Sequence, residues 1–161
     1  MRFSLISDLD DPPPLNFAER GLHYGDGLFE TMLLQRGSIR FWPEHYQRLQ
    51  RSAQKLGIPC PPQGWLTERL QPYLELQQDL LLKLILTRGS GGRGLEFPES
   101  PVPTIFLIKY PFKNITKQSV KAYFSEFTLA KNPNLAGLKH LNRLDYVLAT
   151  QALNQQRDYD E

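Results

Sequence analysis

The run Leu80-Leu81-Leu82-Lys83-Leu84-Ile85-Leu86-Thr87, followed at once by Arg88-Gly89-Ser90-Gly91-Gly92-Arg93-Gly94, constrains this chain more than any other feature. The apolar stretch is short and interrupted by Lys83, so it spans no bilayer and reads as a strand. The glycines end that strand and open a loop in which backbone can approach an anion closely. Arg88 and Arg93 make the loop cationic, and a guanidinium binds carboxylates through paired hydrogen bonds. Three prolines between Glu96 and Pro103 prolong the loop before a second strand, Thr104 to Lys109.

Other segments supply further elements. Phe3 to Ser7 predicts a short first strand, and Asp8 to Pro14 is turn material. Glu19-Arg20-Gly21-Leu22-His23-Tyr24-Gly25-Asp26-Gly27 predicts a loop, because glycines recur at short spacing. Leu28 to Leu34 predicts a buried strand, and Arg36-Gly37-Ser38 a hairpin turn returning through Ile39 to Trp42. A helix follows, with Pro43 in its first turn and Gly57 just past its end. Tyr46, Leu49, Ala53 and Leu56 form its apolar stripe, with His45, Arg48 and Ser52 beside it. A second helix is expected from about Trp65 to Gln78, shortened or kinked by Pro72. Tyr110-Pro111-Phe112 reads as a linker and Val120 to Phe124 as a new strand. Lys139 follows the turn Asn132-Pro133-Asn134 and is expected to open an amphipathic helix, with Leu141, Leu144, Leu148 and Ala152 at helical spacing.

Bulk properties exclude several classes. A net charge of +2 gives no general bias toward nucleic acid or membranes. One cysteine, Cys60, excludes an internal disulfide and suits a reducing compartment. The amino terminus lacks the apolar core of a signal peptide, so a cytoplasmic protein is expected. His23, His45 and His140 have no metal-ligand spacing. The glycine loop lacks the Gly-Lys-Ser/Thr ending of a nucleotide-binding P-loop.

Four strings occur in one order: Arg20-Gly21-Leu22-His23-Tyr24-Gly25-Asp26-Gly27-Leu28-Phe29-Glu30-Thr31, His45-Tyr46-Gln47-Arg48-Leu49, Gly89-Ser90-Gly91-Gly92-Arg93-Gly94, and Gly137-Leu138-Lys139-His140-Leu141-Asn142-Arg143-Leu144. Together they resemble the class IV aminotransferases, the fold-type IV enzymes that use pyridoxal 5'-phosphate. The last two strings are most similar to the aminodeoxychorismate lyase branch. Its members form 4-aminobenzoate and pyruvate in folate biosynthesis. Transaminases for D- or branched-chain amino acids share the scaffold and remain an alternative. A fragment that only binds an anion or partner is a third reading.

The resemblance implies an α+β fold. Residues 1–110 would be the small N-terminal α/β domain, and 113–161 the start of a larger, β-rich C-terminal domain carrying the lysine. That second domain would be incomplete, and the 161-residue chain alone weak in cofactor retention and inactive. Lys139 would be the Schiff-base lysine and catalytic base. Arg48 would hold the cofactor phosphate, a role suited to a planar, permanently charged fork. Arg93 would grip a substrate carboxylate, and Arg88 would stabilise the loop. Tyr24 and Thr31 would line the substrate side, with Glu30 a further candidate and Asp26 holding the loop. Lyases of this kind read Gly-Gly-Arg-Gly-Tyr where this chain has Leu95, so that phenol is absent. A homodimer is expected from the family.

Overall fold

The computed structural model describes residues 2–9, 14–112, 119, 122, 124–125 and 127–155. By contacts the chain separates into two units, Met1–Phe112 with Gly137–Leu141, and Lys113–Ala136 with Asn142–Glu161.

The first unit is a five-stranded sheet with helices on one face. Its strands are β1 (Ser4–Ser7), β2 (Gly27–Gln35), β3 (Ser38–Ile39), β4 (Leu80–Thr87) and β5 (Thr104–Pro111), in the order β1-β5-β4-β2-β3. Only β1 and β5 run parallel. The β2–β3 hairpin turns through Arg36 (φ 52°) and Gly37 (φ 73°), the paired positive dihedrals that match strand twist. The strand and its return were expected, but β3 is shorter than the Ile39-to-Trp42 reading. The turn runs straight into α2 (Trp42–Leu56), which Pro43 opens and Gly57 closes in a left-handed conformation. Helix α3 (Gln63–Leu74) ends two residues after Pro72, short of Gln78.

Alternation divides the sheet. Leu28, Met32, Leu34, Leu80, Leu82, Leu84, Leu86, Ile105 and Leu107 bury one face against Leu49 and Ala53 of α2 and Leu66, Leu70 and Tyr73 of α3. Phe29, Thr31, Lys83, Ile85 and Ile108 point the other way, and Thr31 is exposed. Tyr73 carries a buried hydroxyl 2.9 Å from Ser7 Oγ, 2.9 Å from Asp8 Oδ1 and 3.0 Å from the Leu107 carbonyl. It ties α3 to β1 and β5.

Two expectations are corrected. Residues 20–24 form a short helix, α1 (Arg20–Tyr24), rather than loop. The Glu19 side chain accepts a hydrogen bond from the Gly21 amide, and Gly25 ends the helix at φ 63°. Tyr110-Pro111 is not linker but the end of β5. The strand expected at Val120 to Phe124 falls mostly outside the described residues.

In the second unit, α4 (Leu144–Gln155) starts five residues after Lys139. Asp145 Oδ2 accepts the Ala130 amide at 3.2 Å, and the Asn132 side chain closes the preceding turn on the Asn134 amide at 3.0 Å. No helix among the described residues is long and apolar enough to cross a membrane.

Candidate active site

Lys139 does not open a helix. Gly137 adopts φ 79°, and the following residues run extended along the free edge of β2. The Phe29 amide donates to the Lys139 carbonyl at 2.9 Å, and the Leu141 amide to the Gly27 carbonyl at 3.0 Å. Those bonds use backbone groups that a helix would turn inward, which is why helix formation waits until Leu144. The pairing sets Lys139 opposite Phe29, on the sheet face turned away from α2 and α3. Its Nζ lies 4.5 Å from the Phe29 ring centroid. Lys83, opposite Thr31 on the same face, places its Nζ 5.5 Å from that ring. Lys139, Thr31, Phe29 and Lys83 therefore share one surface. Gly27 permits the approach, since a Cβ there would come within 2.8 Å of the Leu141 side chain and 2.7 Å of the Leu86 carbonyl.

Arg48 meets β2 from the other face. Its Nε donates to Glu30 Oε1 at 2.7 Å and its Nη2 to Glu30 Oε2 at 2.5 Å, and His45 Nδ1 adds a 2.7 Å contact to Oε2. Glu30 is buried, whereas the Arg48 side chain keeps 41% exposure. The hydrogen bond to Glu30 holds the guanidinium above its ordinary value, so Arg48 stays charged. One fork edge is taken up by Glu30, and the exposed remainder is available to an anion.

Tyr24 and Arg93 belong to a third group, organised by Arg20. That buried guanidinium donates to Asp26 Oδ2 at 2.9 Å, to the Glu96 carbonyl at 2.7 Å and to the Gly94 carbonyl at 3.3 Å. The Tyr24 ring covers it at 4.9 Å. Arg88 is not a solvated loop charge. Its Nε donates to Asp26 Oδ2 at 2.8 Å, and its terminal nitrogens donate to the Leu56 and Gly57 carbonyls, both at 2.8 Å. Burial opposes ionisation of Asp26, but the bonds and charges of Arg88 and Arg20 outweigh it and hold its carboxyl below the usual carboxylate range. Arg93 stands exposed on the loop, with no side-chain partner among the described residues.

The five site residues thus fall into three places around the first half of β2. Lys139 and Thr31 lie on one face, Arg48 reaches Glu30 on the other, and Tyr24 and Arg93 sit about Arg20. Sequence reasoning passed over Arg20 and Lys83. A lysine in an otherwise leucine-rich strand was the available signal that its face is not core.

The class IV amino-transferase family profile matches residues 27–161. An aminodeoxychorismate lyase from Vibrio harveyi is 32% identical over 135 residues, covering 81% of this chain and 50% of that protein. A protein named as a putative branched-chain-amino-acid aminotransferase in Methanocaldococcus jannaschii is 34% identical over 140 residues, covering 81% and 47%. The solved 4-amino-4-deoxychorismate lyase from Pseudomonas aeruginosa superposes with a TM-score of 0.80 at 37% identity, over 89% of this chain and 54% of that one. The chain spans about half the length of the curated relatives it matches.

Proposed function

Because this chain belongs to the class IV aminotransferases, a family of pyridoxal-phosphate enzymes, we propose that the protein is a 4-amino-4-deoxychorismate lyase, releasing pyruvate and 4-aminobenzoate. The observation that carries this reading is the placement of Lys139: a primary amine over an aromatic ring, on the sheet face away from the helices. The chemistry of the donors fits the cofactor. Lys139 Nζ would be its attachment point, and the half-exposed Arg48 guanidinium, which meets β2 from the other face, would receive its phosphate past the edge of that strand. When bound, pyridoxal phosphate supplies an electron sink for negative charge at the carbon bearing the substrate amine.

The chain's own residues supply the rest. Lys139 Nζ takes the proton from that carbon, and afterwards donates one as the enolpyruvyl group departs. Arg93 orients a substrate carboxylate, and Tyr24 and Thr31 line the substrate side from two different places. A cytoplasmic homodimer belongs to the same reading.

The transaminase reading draws support from similarity to the Methanocaldococcus protein and from Leu95. Product analysis separates the two. The lyase forms 4-aminobenzoate without a keto-acid acceptor, and a transaminase turns over only when one is added. In the full-length enzyme, Lys139→Ala should lower 4-aminobenzoate formation by at least about 10²–10⁴-fold. Normal formation in that variant would exclude Lys139 as the proton-transfer group.

A further inference from the structure

We propose that Arg20, Asp26 and Arg88 form a positioning frame that fixes the glycine loop, and with it Arg93, against the helix that carries Arg48. The inference rests on the reading of Arg93 as the carboxylate-binding residue. Its basis is the routing of hydrogen bonds. Asp26 is the hub, receiving Arg20 Nε at 2.9 Å and Arg88 Nε at 2.8 Å on the same oxygen. Arg88 runs from the hub to the last carbonyls of α2, at Leu56 and Gly57. Arg20 runs the other way, into the loop.

The loop is wound around that one guanidinium. Arg20 reaches the carbonyls of Gly91, Gly94, Leu95 and Glu96. Contacts to so many carbonyls of one short segment leave it little choice of path. At Gly92, φ 80°, a Cβ would come within 2.1 Å of the Glu96 carbonyl, so only glycine permits the winding. Phe97 closes the arrangement from outside, its ring 4.0 Å from the Arg88 guanidinium and 5.5 Å from that of Arg20. That ring is 64% exposed although apolar, which is accounted for by the two cations beneath it.

Such a frame raises the affinity for the carboxylate that Arg93 grips. An arginine on a wandering loop loses entropy on ordering whenever it grips a carboxylate, whereas one on a fixed loop does not. Arg20, Asp26 and Arg88 touch no substrate in this scheme; they act through Arg93.

The test uses the full-length enzyme with two variants. Phe97→Ala removes the exposed lid without disturbing a buried ion pair, so its folding is not in question. Arg20→Lys keeps the charge beside Asp26 but loses the fork that reaches both Asp26 and the carbonyls. Amide hydrogen exchange of residues 91–96 and steady-state kinetics are measured on both. The expected result is exchange about ten-fold faster in that segment alone, and KM for aminodeoxychorismate raised about ten-fold with kcat within about two-fold. Unchanged exchange in both variants overturns the frame. Faster exchange with an unchanged KM overturns its link to substrate binding. If the unaltered enzyme formed no 4-aminobenzoate, the proposed function would fail, while the exchange rates would still decide whether the frame exists.

Discussion

Asp26 shows how much one carboxylate can hold. It is paired with two buried arginines, and removing it would strand both charges away from water. Asp26→Ala should therefore destabilise the fold by about 3–5 kcal/mol, the range for breaking a buried ion pair by deleting one partner. Urea denaturation checks this, and a loss under about 1 kcal/mol would mean the arginines find water or other partners. Only part of this was legible in the chain. Asp26 and Arg88 could each be read as loop-holding residues, since both lie among glycines. That they hold the same loop, together with Arg20, depends on positions 20, 26 and 88 converging through β2–β4 pairing. No local pattern encodes that convergence. Lys139 was the reverse case: its identity stood out in its string, but its conformation did not. The spacing of Leu141, Leu144 and Leu148 is helical, yet the open edge of β2 competes for the same backbone and takes residues 139–141.

At the scale of elements, glycines separate turns that need only a dihedral from turns that need space. Gly37 has φ 73°, and a Cβ added there would meet nothing within 4 Å. Gly37→Ala should cost about 1 kcal/mol, the penalty of a left-handed alanine alone. Gly89 has φ 93°, and a Cβ there would lie 2.0 Å from the Val102 carbonyl. Gly89→Ala should cost more than about 3 kcal/mol, because backbone must move as well. Thermal unfolding of the two variants side by side measures the difference. Equal losses would show that the 88–103 loop yields freely, contrary to its hydrogen bonding. The strands and long helices were legible because periodicity and end signals agree in them. Helix α1 was not, since its five residues are too few for a period, and its cap is a glutamate rather than a small polar residue.

For the molecule as a whole, titration links these parts to a stability profile with two limbs. On the acid side, the folded carboxyl of Asp26 lies below its ordinary 3.8. Its contribution is present above the unfolded value and is lost as pH falls through the folded one. On the alkaline side, burial pushes the Tyr73 phenol up to about 12 from 10.0. The neutral phenol is thus favoured by folding: that stability is complete below pH 10 and is lost as pH rises toward 12. Two units correspond to roughly 2–3 kcal/mol. Tyr46 is raised for the same reason, burial, and adds in the same direction. Tyr73→Phe should keep the packing of α3 on the sheet, lower neutral-pH stability by about 1 kcal/mol through the lost hydrogen bonds, and flatten the alkaline limb. Asp26→Asn should flatten the acid limb instead. Chemical denaturation from about pH 2 to about pH 12 in the three proteins decides the assignment. An alkaline limb as steep in Tyr73→Phe as in the parent would place the titrating group elsewhere. A flattened one would mean that a single hydroxyl, held by Ser7, Asp8 and the Leu107 carbonyl, sets the upper pH limit of the sheet on which Lys139 sits.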